Sequence, residues 1–194
     1  MSRICVFAGS SMGVRKEYEE AARTLGHELA TRGLGLVYGG ASVGLMGVMA
    51  DAVLAEGGEV IGVLPRGLFK REVGHEHLTQ LHMVNSMHER KALMADLADG
   101  FIALPGGYGT FDELFEAITW AQIGLHSKPI GLLNVMRYFD PLLALIAHVT
   151  TEGFIPASSS RLVLQKEKPG ELLEAFAAYI PAIQLPPPVP PLER

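Results

Sequence analysis

The chain has 194 residues, 48% apolar and 19% charged, with 22 Gly and a formal net charge of −5. This length and composition fit one globular domain with a substantial core and exclude a disordered chain. The negative balance argues against a general nucleic-acid or polyanion binder, so any anion held here is a small local one.

Strand-like and helix-like segments alternate along the chain. Met1-Ser2-Arg3 leads straight into the apolar run Ile4–Ala8, so no signal peptide is expected, and Cys5 within that run reads as a buried, inert thiol. Gly9-Ser10-Ser11-Met12-Gly13 forms a first glycine-rich turn. Glu17–Thr31 follows with Tyr18, Ala21, Ala22, Leu25 and Leu29 at helical spacing and Gly33 as a stop signal. The strand Leu34–Tyr38 runs into a second turn, Gly39-Gly40-Ala41-Ser42-Val43-Gly44-Leu45-Met46-Gly47, and a helix over Gly44–Glu56. Next come a strand at Val60–Leu64 and a charged, His-rich stretch, Pro65–Gln80, that reads as a functional loop or a partly helical excursion. The remaining strands are Leu81–Val84, Phe101–Leu104, Ile130–Leu133 and Leu162–Leu164. The remaining helices are Ser86–Ala98, Thr110–Ile123, Tyr138–Thr150 and Gly170–Tyr179. Short continuous apolar strands alternating with helices predict an α/β fold, a doubly wound, mainly parallel sheet flanked by helices. One domain over residues 1–184 and an extended or disordered Pro-rich tail over 185–194 complete the expectation. No apolar stretch approaches the ~20 residues that span a bilayer, so the cytosol is the expected compartment.

The third turn carries the chemistry. Pro105-Gly106-Gly107-Tyr108-Gly109-Thr110-Phe111-Asp112-Glu113 links a strand to a helix, so its N–H groups face outward at the positive end of a helix dipole, a ready site for phosphate. All three turns lie beyond carboxyl ends of predicted strands, where ligands bind in such folds, and are expected to share one crevice. Neither a Walker-type G-x-x-x-x-G-K-[ST] nor a dinucleotide G-x-G-x-x-G motif occurs; Asp112 stands where the third glycine of the latter would fall.

Two side chains need explanation. Thr110-x-x-Glu113 can be a plain capping box, or Thr110 can serve the ligand while Glu113 points into the crevice. Arg90 shares an apolar stripe with Leu93, Met94 and Leu97, where a guanidinium needs an anion: a structural ion pair, a ligand, or a catalytic carboxylate. Lys91 sits at the edge of that face. Asp112 reads as solvated first-turn charge, Glu89 and Asp96 as a solvated flank, and His88 as polar-face. His75-Glu76-His77 is too sparse for a metal site. Ser10 and Ser11 have no general-base partner in sequence and suit a phosphate or ribose contact; Gly40 lies in the second turn of the same crevice.

The run Pro105-Gly106-Gly107-x-Gly109-Thr110-x-x-Glu113, with Met87-His88-x-Arg90-Lys91, resembles the Lonely Guy family of cytokinin riboside 5′-monophosphate phosphoribohydrolases, also labelled lysine decarboxylases. Phe7-Ala8-Gly9-Ser10-Ser11 and Tyr38-Gly39-Gly40-Ala41-x-x-Gly44-Leu45-Met46-Gly47 support it, and the likeness covers about residues 3–180. It implies a Rossmann-like fold and a homodimer with the site near the interface. It implies cleavage of the N-glycosidic bond of cytokinin riboside 5′-monophosphates or AMP, with no cofactor and no metal. Arg90 and Glu113 would carry catalysis. Gly106, Gly107, Tyr108, Gly109 and Thr110 would hold phosphate and ribose, with Lys91 in the same pocket and Glu72 and Thr119 as further ligand contacts. The alternative is a non-catalytic carrier of a nucleotide or of molybdenum cofactor. A pyridoxal-type decarboxylase would need a suitably placed lysine, and Lys70, Lys91 and Lys128 have no such context.

Overall fold

Runs such as Ile4-Cys5-Val6-Phe7 are apolar at every position, so they are stable only where both faces of a sheet are covered. The computed structural model, which describes residues 1–67 and 74–181, has that arrangement. Strands β1 (Arg3–Phe7), β2 (Gly35–Tyr38), β3 (Val60–Pro65), β4 (Gln80–Val84), β5 (Gly100–Ala103), β6 (Ile130–Leu133) and β7 (Val163–Lys166) form one sheet in the order β4-β3-β2-β1-β5-β6-β7. Every neighbouring pair is parallel. The helices are α1 (Lys16–Thr31), α2 (Gly44–Ala55), α3 (Met87–Leu97), α4 (Tyr108–Gln122), α5 (Asp140–Thr151) and α6 (Pro169–Ala177). This is the expected doubly wound, Rossmann-like α/β fold.

Strand alternation sorts the core into two layers. Ile4, Val6 and Ala8 turn toward α1, α2 and α6, while Cys5 and Phe7 turn toward α3 and α4. Each Leu, Ile, Val or Phe buried this way contributes about 1.5–3 kcal/mol. Cys5 is buried, and burial pushes its thiol well up, which keeps it protonated as expected. Gly33 ends α1 at φ 68°: its N–H bonds the Ala30 carbonyl and Leu34 N–H bonds the Leu29 carbonyl, a Schellman closure.

The order in which strands are added reverses at β1. Strands β2 to β4 build outward on one side and β5 to β7 on the other, so the turns after β1 and β5 flank the switch-point crevice. The turn after β2 joins them. Gly44, at φ 61°, lies so close to this junction that a Cβ would strike the Ser10 backbone.

The segment after β3 is a loop where described: Gly74 pairs with Ala41 in an isolated antiparallel bridge. Glu72, the domain limit at residue 184 and the Pro-rich tail lie outside the described residues. No helix of the described residues is long and apolar enough to cross a membrane.

Gly44→Ala combines a left-handed φ with a backbone clash and should destabilise by about 2–4 kcal/mol in urea unfolding. Gly109→Ala, where a Cβ meets open space inside a helix, should be neutral or stabilising by up to ~1 kcal/mol.

Candidate active site

The three turns are tied together through their main chains. Gly9 N–H donates to the Pro105 carbonyl at 3.1 Å, and the Gly9 carbonyl accepts from Leu45 N–H at 3.0 Å. The crevice beside this junction has a volume of about 240 Å³, and Ser10, Tyr18, Gly106, Gly107 and Tyr138 are among its walls.

Helix α4 begins at Tyr108, with Gly107 as its cap and no side-chain capping bond. The capping-box reading of Thr110 and Glu113 is therefore corrected. Thr110 lies inside the first turn and is buried, and its hydroxyl packs where a Gly106 Cβ would fall. The glycine-rich lead-in lets the helix start two residues earlier than the expected Thr110. The capping signature is instead used by α3. There Ser86 Oγ accepts from Glu89 N–H at 3.1 Å, and the Glu89 carboxylate reaches back to Asn85 N–H at 2.8 Å. Glu89 is exposed, as expected of a solvated charge, and also caps the helix, for which Ser86-x-x-Glu89 was the signal.

The first intrahelical bond at the α4 start runs from Phe111 N–H to the Gly107 carbonyl, so the N–H groups of Tyr108, Gly109 and Thr110 precede the helical ladder. A Cβ at Gly107 or Gly109 would meet nothing within 4 Å. The chain's own packing does not demand glycine there, and glycine leaves this stretch of backbone bare. Tyr108 stands 95% exposed at the mouth of this cradle.

Arg90 and Glu113 meet as α3 and α4 pack on the same face of the sheet. Arg90 Nη2 lies 4.0 Å from Glu113 Oε1, with the side chains 7% and 12% exposed. The same nitrogen donates to the Gly39 carbonyl at 3.3 Å, and a Cβ on Gly39 would overlap it. The glycine of the second turn is what admits the guanidinium. Arg90 Nε finds no acceptor among the described residues, so a donor remains inside a buried site. Removing either charge would leave the other in low dielectric without this partner.

Lys91 points to the flank of the pair. Its Nζ lies 3.1 Å from both Asp112 Oδ2 and Glu116 Oε2, which bracket Glu113 on α4. Asp112 is thus ion-paired rather than merely solvated, because α3 crosses α4 at this level. Burial pulls the Lys91 pKa down, but its hydrogen bonds to Glu116 and Asp112, with the charges of those carboxylates, outweigh it and raise it above its ordinary value. Lys128 is also engaged, its Nζ donating to the Ala95 carbonyl at 2.7 Å beside the Phe101 ring.

The other expected contacts fall in three places. Ser10 lines the crevice. Gly40, at φ 81°, has its carbonyl taken by His75 N–H. Thr119 is exposed, six residues beyond Glu113 or about 9 Å along α4, and its hydroxyl donates to the Phe115 carbonyl. The structure does not bring it to the Arg90–Glu113 pair within one chain. His75 is buried with Nε2 2.9 Å from Asp51 Oδ1. No group of three or more potential metal ligands forms among the described residues. Sequence reasoning missed Gly39 as the Arg90 acceptor and Tyr138 as a crevice wall; neither role has a local motif.

A parallel sheet with a bare helix N-terminus at its switch-point crevice, and a mostly buried guanidinium–carboxylate pair between α3 and α4 that is not among the crevice walls, defines a doubly wound α/β protein. A family model described as "Possible lysine decarboxylase" matches residues 46–176. The chain is 49% identical over 183 residues to cytokinin riboside 5′-monophosphate phosphoribohydrolase LOG of Oryza sativa subsp. japonica, covering 94% of this chain and 76% of that one. It is 48% identical over 179 residues to a protein of the same activity name from Arabidopsis thaliana, covering 92% and 84%. The chain belongs to this Lonely Guy family. Among solved structures, a molybdenum cofactor carrier protein of Chlamydomonas reinhardtii superposes with TM-score 0.69 at 20% identity over 91% of this chain and 96% of its own, which is likeness of fold.

Lys91→Met should lower stability by about 1 kcal/mol, since its partners are part-exposed. A raised pKa fixes the sign: the contribution is complete below 10.5 and fades as pH rises through the higher folded-state value. Urea unfolding of both proteins at pH 7, 9 and 11 should show a constant gap that closes only at the alkaline end.

Proposed function

We propose that the protein hydrolyses the N-glycosidic bond of purine nucleoside 5′-monophosphates, cytokinin riboside 5′-monophosphates or AMP, giving free base and ribose 5-phosphate. The observation that carries this reading is the pairing of Arg90 and Glu113 next to a cradle whose glycines Gly107 and Gly109 face open space. Roughly 50% identity to curated phosphoribohydrolases over most of the chain supports it.

The geometry suits the chemistry. The N–H groups of Tyr108, Gly109 and Thr110 hold the 5′-phosphate at the helix dipole. Glu113 lies four residues beyond Gly109, about 6 Å along the axis, a gap for the ribose to span. As C1′–N9 breaks, the base takes the bonding electrons while positive charge develops at C1′, and the proton that the attacking water gives up passes by way of Glu113 and solvent to the departing base. The Glu113 carboxylate stabilises that charge and accepts a proton from the attacking water, whose oxygen forms the new C1′–O bond. Arg90 sets its guanidinium beside Glu113 and offers its spare Nε donor to the ligand. Phosphate binding places the scissile bond rather than reacting.

The protein acts in the cytosol as a homodimer. The apolar stripe Phe115, Ile123 and Leu125, 41%, 60% and 68% exposed along and just past α4, supports a second copy there, and Thr119 shares this face. Sedimentation should give twice the chain mass, and Phe115→Glu should return it to one.

Glu113→Gln should slow release of adenine or N6-isopentenyladenine at least ~10²-fold while leaving ribose 5-phosphate binding in place. Wild-type turnover in this variant would remove the carboxylate from the mechanism. Adenosine should react far more slowly than AMP; equal rates would contradict the phosphate anchor. Binding of AMP without base release would favour a carrier instead.

A further inference from the structure

We infer that Tyr138 is a positioning residue of the phosphate cradle, acting through the Gly106 peptide. The inference rests on the reading of the α4 N-terminus as the phosphate site. Tyr138 lies outside all three glycine-rich turns, just after a short 3-10 turn (Val135–Arg137) that follows β6. Its hydroxyl donates to the Gly106 carbonyl, 32 residues away in sequence. That carbonyl belongs to the planar unit whose N–H is Gly107, so fixing the oxygen fixes the peptide that leads into the Tyr108, Gly109 and Thr110 N–H groups and adds the Gly107 N–H beside them.

The tyrosine is itself held on every side. Its ring stacks on Phe111 of α4 at 6.5 Å and 6°, and meets Tyr18 and Phe139 edge-on at 5.8 and 5.0 Å. Behind it, buried Asn134 accepts from Phe139 N–H at 2.7 Å and donates to Asp140 at 2.8 Å. Between these anchors Met136 and Arg137 hold φ 50° and 61°, a left-handed pair that non-glycine residues adopt only under strain. The connection tolerates that strain and delivers the phenol to the turn.

The opposite side of the Gly106 turn is packed already. A Cβ on Gly106 would run into the Thr110 hydroxyl and come within 2.8 Å of Gly9 N. Thr110 and Gly9 thus bound the turn from inside and Tyr138 from outside. Without the hydroxyl, the half-exposed Gly106 carbonyl turns to water and the plane rocks. The N–H groups then reorganise on binding, which weakens anion affinity.

Tyr138→Phe keeps the ring stack and removes only the hydroxyl. Calorimetry with ribose 5-phosphate and steady-state release of adenine from AMP and from adenosine test it. Expected are a Kd for ribose 5-phosphate and a KM for AMP raised about fivefold to tenfold, with kcat for AMP and kcat/KM for adenosine held within about twofold. Unchanged Kd and KM overturn the inference. An equal loss on AMP and adenosine overturns it too, by showing a general structural role. Wild-type protein that fails to bind ribose 5-phosphate rejects the cradle reading itself, a result separable from a normal wild type with an indifferent variant. Tyr138→Leu, which also removes the stack on Phe111, should raise the AMP KM further than Tyr138→Phe; a leucine variant with wild-type KM likewise contradicts the proposal.

Discussion

The Gly9 peptide is where the site is assembled. Its N–H bonds the Pro105 carbonyl and its carbonyl receives Leu45 N–H, so one residue at the tip of the central strand fastens the turns of β1, β2 and β5. Main-chain hydrogen bonds do this well, because neither donor nor acceptor depends on a rotamer, and a buried unpaired group would cost about 1–3 kcal/mol. The junction demands small residues: a side chain on Gly44 or Gly106 would occupy space already filled by Ser10 backbone or by Thr110. Glycine in these turns therefore has two separate causes. Some glycines let protein meet protein, and others, Gly107 and Gly109, leave backbone bare to the outside.

That junction makes the electrostatics possible. Arg90 comes from α3, Glu113 from α4 and the Gly39 carbonyl from the β2 turn, so three elements must be held in register for the pair to form. At 4.0 Å between Nη2 and Oε1, attraction in a partly buried setting outweighs what the same pair would gain in water, while each charge retains other contacts. Asp112 and Glu116 flank Glu113 and would add negative charge beside it. Lys91 binds both, so the carboxylate at the centre is left facing the guanidinium rather than a cluster of like charge. Adjacent residues on α3 thus divide the work, Arg90 turned inward to the site and Lys91 across to the helix that carries the site.

The fold was legible because its signals are local and repeated. Each central parallel strand is a short apolar run, and each predicted segment lies within a few residues of its observed place. The anomaly of Arg90 was legible for the same reason: a cation on an apolar stripe is visible in a helical projection. Thr110 and Glu113 show the limit. The spacing fits a capping box, but the flexible Gly106-Gly107 lead-in lets the helix begin at Tyr108, and tertiary packing puts Thr110 against the turn. The true capping pair is Ser86 and Glu89 at the start of α3, at the same spacing as Thr110 and Glu113. Gly39 and Tyr138 could not be read at all, since each acts on a residue more than thirty positions away.

Under the proposed function, the anion site and the carboxylate share one helix, and that has a consequence for selectivity. Both move as a rigid unit, so the distance from the N–H groups of the first turn to Glu113 is set by helical rise and not by loop conformation. A ligand is then measured from its phosphate: only the bond that lies one ribose away falls beside the carboxylate. Arg90 arrives from another helix and contributes charge without altering that length. The ruler would admit different bases, since nothing in it contacts the leaving group, and discrimination among bases must come from the walls beyond C1′. In this arrangement chemistry and base preference are carried by different elements, so one can change in sequence while the other stays fixed.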